Sequence, residues 1–376
     1  MRILVTDALH PVTSDTMGRL RDTGVVTWIG GAWPGGSAVE PPPGLDTVEA
    51  VPDSDAPEYP HALLRLAVAH RVAVVMPWSD ADARIVAGHR SAFAQAGVGL
   101  LCPPAVLVEL GCDKWRTIAA LRAAGLSVPR SRLVTDADQL ADAAGELGYP
   151  TTDLVLKMRD LAGSRGIWAI STRPGLAADG PLPTLCLPAM AAQLRSRPGG
   201  WPEGLVVQEL VTGTDVSIDL LARRGTLLAA ACRTRRATSG GLCVSGEVFA
   251  LDGALAAATE HLVVALGWDG IGNLQAIVDP DGRAVFYEIN PRAAGSVGLS
   301  AAAGLDLLAG AVRAAAGFDP WPGHDRYVTI ATRSSFRRHW STQQWATTPC
   351  PVPSDDPDSS RPGPNLAAGR ATGRRL

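Results

Sequence analysis

The chain has 376 residues, which at roughly 100–200 residues per domain predicts two or three domains. Hydrophobic residues make up 46% and charged residues 19%, so the chain can bury sizeable cores and wholesale disorder is excluded. The net charge of -3 argues against nucleic acid or an anionic membrane as a general partner. No apolar run approaches the roughly 18 residues of a membrane span, and Asp7 interrupts the first apolar run too early for a signal peptide. We therefore expect a cytoplasmic protein.

The first hundred residues alternate predicted strands with predicted helices. We predict strands at 2–6, 72–76 and 99–102, and helices at 14–23, 61–70 and 81–96. This alternation predicts a parallel sheet with helices on its faces, a Rossmann-like domain over residues 1–105. No GxGxxG follows the first strand, so we expect no dinucleotide cofactor in this domain.

The second part of the chain begins with two predicted helices, at 113–124 and 136–147, each ended by a glycine. Strands dominate the predicted elements after residue 150. We then predict strands at 154–158, 167–171, 205–210, 216–222, 226–232, 272–278 and 284–289, and helices near 189–195, 254–266 and 301–318. We expect a second domain at 106–320, with a lid subdomain at about 125–204 and a central sheet at 205–320. A C-terminal extension at 321–345 and a disordered tail at 346–376 complete the predicted organisation.

Lysine is rare in this chain. Of 34 basic residues only Lys114 and Lys157 are lysines, and two of the three asparagines, Asn273 and Asn290, lie in a single segment. This bias is typical of a GC-rich genome. Lysine offers a compact, rotatable point charge and arginine a planar fork, so a lysine in such a chain suggests chemistry that arginine does not supply.

The segment 154–170, LVLKMRDLAGSRGIWAI, reads as a strand, a loop and a strand. Lys157 lies inside the apolar first strand, where an unpaired ammonium is costly. The loop carries Ser164, Arg165 and Gly166, which can present backbone N–H groups and charge to phosphate oxygens. The alternative is an ordinary hairpin whose strand lysine reaches solvent.

The segment 205–222, LVVQELVTGTDVSIDLLA, is a second candidate for ligand binding. Its strand ends at Gln208, Glu209 and Leu210, where main-chain groups can meet an adenine edge. Asp215, six residues after Glu209, can hold a pair of ribose hydroxyls. The alternative is a plain strand–turn–strand with solvated acids.

The strongest segment is 270–296, GIGNLQAIVDPDGRAVFYEINPRAAGS. Glu288 and Asn290 are two residues apart on one strand and therefore point to the same face. Gln275 lies on the strand paired with it through an Asp-Gly turn. One carboxylate with two amide oxygens makes an oxygen-only site suited to Mg²⁺, and Arg292 can clamp a transferring phosphoryl group.

The ordered set DKWRT, LKMRDLAGSRGI, QELVTGTDVSID and NLQ…YEINPR resembles the ATP-grasp superfamily over roughly residues 1–320. Within it, the carboxylate–amine ligase and carbamoyl-phosphate-synthase-like branch fits best. The resemblance implies an α/β (α+β) architecture, an ATP-grasp fold preceded by the Rossmann-like domain. It also implies the cofactors ATP and Mg²⁺, with Mn²⁺ as a substitute.

The resemblance also implies roles for individual residues. ATP phosphates are contacted by Lys114 and Lys157 and covered by Ser164, Arg165 and Gly166. The adenine hinge is Gln208, Glu209 and Leu210, with Asp215 on the ribose. Metal ligands are Gln275, Glu288 and Asn290, supported by Asn273, and Arg292 clamps the γ-phosphate and acyl phosphate. Two positions depart from the commoner family pattern, since Asp215 replaces a Glu and Gln275 replaces an acid.

The expected activity is ATP-dependent formation of an amide or peptide bond through an acyl phosphate, in the biosynthesis of a peptide-like metabolite. Arg233, with Lys157 and Arg292, is a candidate catalytic residue, and Arg235 and Arg236 are further candidates for binding substrate. We expect small-molecule carboxylate and amine substrates, no nucleic-acid or membrane partner, and a homodimer as the candidate assembly. Two alternatives stay open: bicarbonate activation of the carbamoyl-phosphate type, and a non-catalytic ATP-binding regulatory module.

Overall fold

Three β-sheets organise the chain. The structure is a computed structural model that describes residues 1–35, 39–161, 166–173, 182–239, 242–323, 328–330 and 332–338. The first sheet has five parallel strands in the order β3-β2-β1-β4-β5. These are β1 (Arg2–Val5), β2 (Trp28–Pro34), β3 (Thr47–Val51), β4 (Val74–Met76) and β5 (Gly99–Leu100). The predicted parallel sheet is confirmed.

Helices lie on both faces of the first sheet. They are α1 (Thr13–Asp22), α2 (Tyr59–Ala69), α3 (Asp80–Gly88) and α4 (Arg90–Gln95). Ile3 and Leu4 point to opposite faces, because Ile3 packs in the core that contains α1 and Leu4 in the core that contains α2 and α3. The helix predicted at 81–96 is two helices, since His89 leaves helical geometry at φ -106° and ψ 15°.

The second sheet contains the strands that carry the predicted phosphate residue Lys157 and the predicted adenine residues Gln208 and Glu209. Its order is β6-β10-β7-β8-β9. The strands are β6 (Ser131–Val134), β7 (Leu154–Met158), β8 (Ile167–Ile170), β9 (Thr184–Leu185) and β10 (Leu205–Glu209). Helices α7 (Ala137–Glu146) and α8 (Leu187–Arg195) pack against it, whereas α5 (Ala105–Gly111) and α6 (Lys114–Ala123) pack against the third sheet. Asp113 caps α6 because its side chain accepts a hydrogen bond from the backbone N–H of Arg116.

The third sheet has eight strands and carries most of the predicted site. Its main path is β13-β14-β12-β11-β15-β16, with β17 paired to β12 and β18 to β14. The strands are β11 (Thr214–Arg223), β12 (Thr226–Thr234), β13 (Ala237–Ser239), β14 (Leu242–Ala250), β15 (Gly270–Val278), β16 (Ala284–Asn290), β17 (Val328–Thr329) and β18 (Ser334–Arg337). Helix α9 (Gly253–Ala265) packs against it through Leu262 and Val263.

The apolar stretch predicted as one helix at 301–318 is broken. A 3-10 helix (Val297–Ala303) ends at Gly304, whose φ of +93° suits glycine, and α10 (Leu307–Ala315) begins after Asp306. The Asp306 side chain caps α10 at Ala309 N. Within the described ranges no single helix is long and apolar enough to cross a membrane, although this bent pair passes by length and composition alone.

Candidate active site

The β15–β16 hairpin places the predicted metal-binding residues as expected. Gln275 lies opposite Glu288 and Asn273 opposite Asn290, so the four side chains share one face of the third sheet. The Glu288 carboxylate has no hydrogen bond or ion pair within the described part of the chain. The shared face predicted from the two-residue spacing is confirmed.

A β-bulge adds Tyr287 to the same face. The register of β16 shifts between Gln275 and Ala276, so that Glu288 opposes Gln275 while Phe286 opposes Ala276. Phe286 is buried in the hydrophobic core, whereas the Tyr287 hydroxyl lies 2.9 Å from the Gln275 side-chain oxygen. Strict alternation would have sent Tyr287 into the core, so sequence reasoning missed it.

Both lysines meet at this site. Lys157 lies on β7 between β10 and β8, and only 7% of it is exposed. Its Nζ lies 4.7 Å from the centre of the Tyr287 ring. Burial lowers the pKa of Lys157 to about 8, with Glu288 opposing and Lys114 reinforcing the shift. The Lys114 ammonium donates a hydrogen bond to the carbonyl of Leu161, where β7 leads into the glycine-rich loop.

Asp215 belongs to a polar network beside Lys157. Its carboxylate lies 2.9 Å from the Tyr287 hydroxyl and 3.2 Å from the Arg235 guanidinium. Burial raises the pKa of Asp215, while Arg235 pulls it down. Arg235 Nη1 also donates to Gln275 Oε1 at 2.8 Å and to the Tyr287 hydroxyl at 3.1 Å.

This network surrounds Gln275, which stays a predicted metal ligand. Its oxygen faces the Arg235 guanidinium, and a Mg²⁺ ion on the same oxygen would lie beside that positive charge. The Asn290 oxygen likewise lies 3.4 Å from Arg292 Nη2. The Glu288 carboxylate suits Mg²⁺, which needs few protein ligands and takes water and phosphate oxygens for the rest, with Gln275 and Asn290 as predicted further oxygens. Among the described residues no cluster of three or more His, Cys, Asp or Glu side chains is placed to hold a metal.

Arg292 joins the hairpin to the first sheet. Its Nε donates to Asp80 at 2.6 Å, and its Nη2 lies 3.4 Å from the Asn290 side-chain oxygen. Asp80 begins α3, just beyond the carboxyl end of β4. β1 and β4 are the adjacent strands at which the chain reverses its direction of travel across the first sheet, a common place for ligand sites.

Arg233 differs from its predicted role as a catalytic residue. It is 4% exposed, and its guanidinium forms an ion pair with the equally buried Asp219. Ser217 accepts a further hydrogen bond from Arg233 at 3.0 Å, and Asn273 donates one to Asp219 at 2.8 Å. These contacts hold the Arg233 guanidinium inside the third sheet, where its partner Asp219 also accepts from Asn273. Arg233 therefore has a structural role next to Asn273 and Asn290. Arg236 is exposed and pairs with Glu247 on β14.

The hinge strand also departs from the prediction. The backbone N–H groups of Glu209 and Leu210 already donate to the carbonyls of Arg130 and Asp153, at 3.0 and 2.8 Å. The Gln208 side chain is buried against Ser131. The two N–H groups that were predicted to bind adenine are therefore occupied in this structure, because both donate to carbonyls at the end of the second sheet.

The phosphate loop is only partly described. Ser164 and Arg165, expected to cover the ATP phosphates, lie outside the described residues, as does most of the 160–166 loop. Gly166 closes the β7–β8 turn at φ +66°, and its carbonyl accepts from Met158 N at 2.8 Å. A Cβ there would come within 2.4 Å of the Met158 side chain, so the turn requires glycine.

Three residues of the site were missed, and a usable sequence signal existed for two of them. Asp219 follows Asp215 by four residues on β11, so period-two alternation places both on one face. Asp80 directly follows the β4 segment, where parallel sheets gather ligand residues. Tyr287 adjoins Glu288 in sequence, but only the bulge brings its side chain to the site face.

A cavity of about 650 Å³ lies elsewhere, and none of the predicted site residues lines it.

Comparisons with known proteins find similarity over parts of the sequence. Residues 202–339 match the family model described as "ATP-grasp in the biosynthetic pathway with Ter operon". A segment of 61 residues is 48% identical to the cyanophycin synthetase of Geminocystis herdmanii. This segment makes up 16% of the present chain and 7% of that synthetase. The chain thus spans a small fraction of the curated relative it matches.

Solved structures resemble the chain over most of its length. An L-amino acid ligase from Bacillus licheniformis has a TM-score of 0.60 at 14% identity and covers 84% of this chain and 74% of its own. The ADP complex of N5-carboxyaminoimidazole synthetase from Staphylococcus aureus has a TM-score of 0.63 at 12% identity, covering 89% and 81%. The segment 202–339 thus resembles an ATP-grasp family, and the solved structures show that the chain shares their fold. The described lysines, acids and amides of the sequence motifs lie where the three sheets meet.

Proposed function

We propose that the chain is an ATP-dependent carboxylate–amine ligase that forms an amide or peptide bond between small molecules. The observation that carries the proposal is a convergence of side chains. Lys157, on β7 of the second sheet, lies beside the face of the third sheet that carries Glu288 and Asn290, and Arg292 follows two residues after Asn290. These groups supply the charges that phosphoryl transfer needs, and the site shows no nucleophile–histidine pair among its described residues. The amino acid ligase neighbour and the cyanophycin synthetase segment support this reading.

Each cationic residue has a place in this proposal. Lys157 lies on β7, Lys114 bonds to Leu161 just after that strand, and the two neutralise α- and β-phosphate oxygens. Asp215 holds the ribose, and Arg235 is the member of the Arg233–Arg236 group that faces the nucleotide. Arg292, oriented by Asp80, clamps the γ-phosphate and then the acyl phosphate.

The reaction follows from these positions. A carboxylate oxygen attacks the γ-phosphorus, and ADP leaves with the electrons of the broken P–O bond. The amine nitrogen then attacks the acyl carbon, phosphate leaves, and the amine loses a proton to solvent. Glu288 and Asn290 would hold Mg²⁺, which would neutralise phosphate charge. The protein contributes mainly positioning and charge neutralisation.

The test is phosphate release from MgATP with each of the twenty amino acids, alone and in pairs, read in parallel by mass spectrometry. Release that depends on an amine and a carboxylate, with a condensed product that has lost water, supports the ligase. Release stimulated by bicarbonate alone favours the carbamoyl-phosphate-type alternative. Tight ATP binding with no stimulated release favours the regulatory module. Glu288→Gln is the matched control and should abolish any release that belongs to this site.

A further inference from the structure

The bulge residue Tyr287 contacts both Lys157 and Asp215, two residues of the proposed nucleotide site. We propose that Tyr287 is a positioning residue for nucleotide binding. Its ring holds the Lys157 ammonium in place, and its hydroxyl orients the Asp215 carboxylate. This inference rests on the proposed function and deepens its account of how ATP is held.

The ring contact is a cation–π interaction in a buried place. The Lys157 Nζ lies 4.7 Å from the ring centre, and the lysine is 7% exposed. Such contacts are strongest where water is excluded. Lysine has a long stem with several rotatable bonds, so its backbone position on β7 does not by itself fix the ammonium. The ring supplies that restraint before nucleotide arrives.

The hydroxyl contacts join the ribose carboxylate to its neighbours. A phenol has one hydrogen to donate, and Asp215 and Gln275 each offer an oxygen at 2.9 Å. The carboxylate is the stronger acceptor, so the hydrogen goes to Asp215. Arg235 donates to the phenol oxygen at 3.1 Å and to the Gln275 oxygen at 2.8 Å, which fills the remaining side of the network.

The backbone supports the same inference independently. The bulge at Gln275/Ala276 allows Tyr287 and Glu288, neighbours in sequence, to act on the same side of the sheet. Bulges re-aim side chains next to functional sites. Without it, Phe286 would occupy the site face and Tyr287 the core.

The ring contact can be measured without nucleotide, because the chain has only two lysines. Full-length protein labelled with ¹³C-lysine gives two sets of ε-methylene signals by NMR. We expect the Lys157 set to be shifted upfield by the ring current of Tyr287. The shift should persist in Tyr287→Phe and disappear in Tyr287→Leu. The control Phe249→Leu removes another ring that a cation contacts, that of Arg333 at 5.1 Å, and should leave both lysine signals unchanged.

Steady-state kinetics separate the ring from the hydroxyl. Tyr287→Phe keeps the ring and should raise the KM for ATP about tenfold with kcat within about threefold of wild type. Tyr287→Leu should also lower kcat, by about thirtyfold, because Lys157 then lacks the ring that holds its ammonium in place. Tyr149→Phe, which removes a hydroxyl that accepts from Leu187 N at 3.2 Å, should change neither constant.

The outcomes distinguish the two proposals. An upfield lysine signal in a protein that releases no phosphate from ATP under any condition upholds the ring contact and overturns the proposed function. A Lys157 signal that is unchanged in Tyr287→Leu overturns the ring contact. Should Tyr287→Leu fail to fold, Tyr287→Phe decides alone: an unchanged KM for ATP in an active enzyme overturns the positioning role.

Discussion

Replacing Lys157 with methionine should stabilise the protein while it destroys the site. Burial is the largest cause that lowers the pKa of Lys157 from 10.5 to about 8, so keeping this ammonium charged in the folded chain is costly. At about 1.4 kcal/mol per pKa unit, the difference corresponds to about 3 kcal/mol at neutral pH. The lost contact with the Tyr287 ring offsets about 1 kcal/mol of this. We expect Lys157→Met to raise the free energy of unfolding by about 2 kcal/mol.

The pH dependence identifies the cause of this gain. Between pH 8 and pH 10.5 the unfolded wild-type chain binds the Lys157 proton and the folded chain does not, so wild-type stability rises with pH. The methionine variant lacks this rise. Its advantage should therefore be complete below pH 8 and vanish above pH 10.5. Urea unfolding of both proteins at pH 7 and at pH 10.5 measures the difference, in which all other titrations cancel.

Lys157→Arg is the matched control, because it keeps the charge. It should give no such gain in stability, yet kcat/KM should fall by about 30- to 150-fold, or roughly 2–3 kcal/mol, since a planar guanidinium does not fit a point-charge site. A stability gain for Lys157→Met that is equal at both pH values, or a loss at pH 7, would refute the desolvation argument. Near-wild-type turnover of Lys157→Arg would make Lys157 a structural residue.

Three further changes test the remaining parts of the site. Glu288→Gln should abolish turnover with little change in unfolding free energy, and activity within about tenfold of wild type at saturating Mg²⁺ would remove its metal assignment. Asp80→Asn should raise the KM for the carboxylate substrate about tenfold, because it weakens the 2.6 Å bond that orients Arg292; an unchanged KM would detach Asp80 from the site. Asp219→Asn should cost about 3–5 kcal/mol of unfolding free energy in urea, since it leaves the Arg233 charge buried without its partner, and a cost below about 1 kcal/mol would contradict that pairing.

Local patterns in the sequence determined which elements form and which motifs matter. Alternation of apolar strands and helices predicted the parallel first sheet, and the Asp279–Gly282 turn predicted the β15–β16 hairpin. The two-residue spacing of Glu288 and Asn290 predicted their shared face. These inferences hold because strand periodicity and turn chemistry are properties of neighbouring residues.

Tertiary structure decided which groups remain available for a ligand. The sequence predicted Arg233 as a catalytic residue and Gln275 as a metal ligand. Pairing of β11 with β12 and β15 buries Arg233 against Asp219 and brings Gln275 next to Arg235. The bulge that brings Tyr287 to Lys157 is a register shift between two strands, and no spacing within one strand encodes it. Partner choice among buried polar groups depends on residues distant in sequence, because each group must satisfy its hydrogen bonds where the sheets meet.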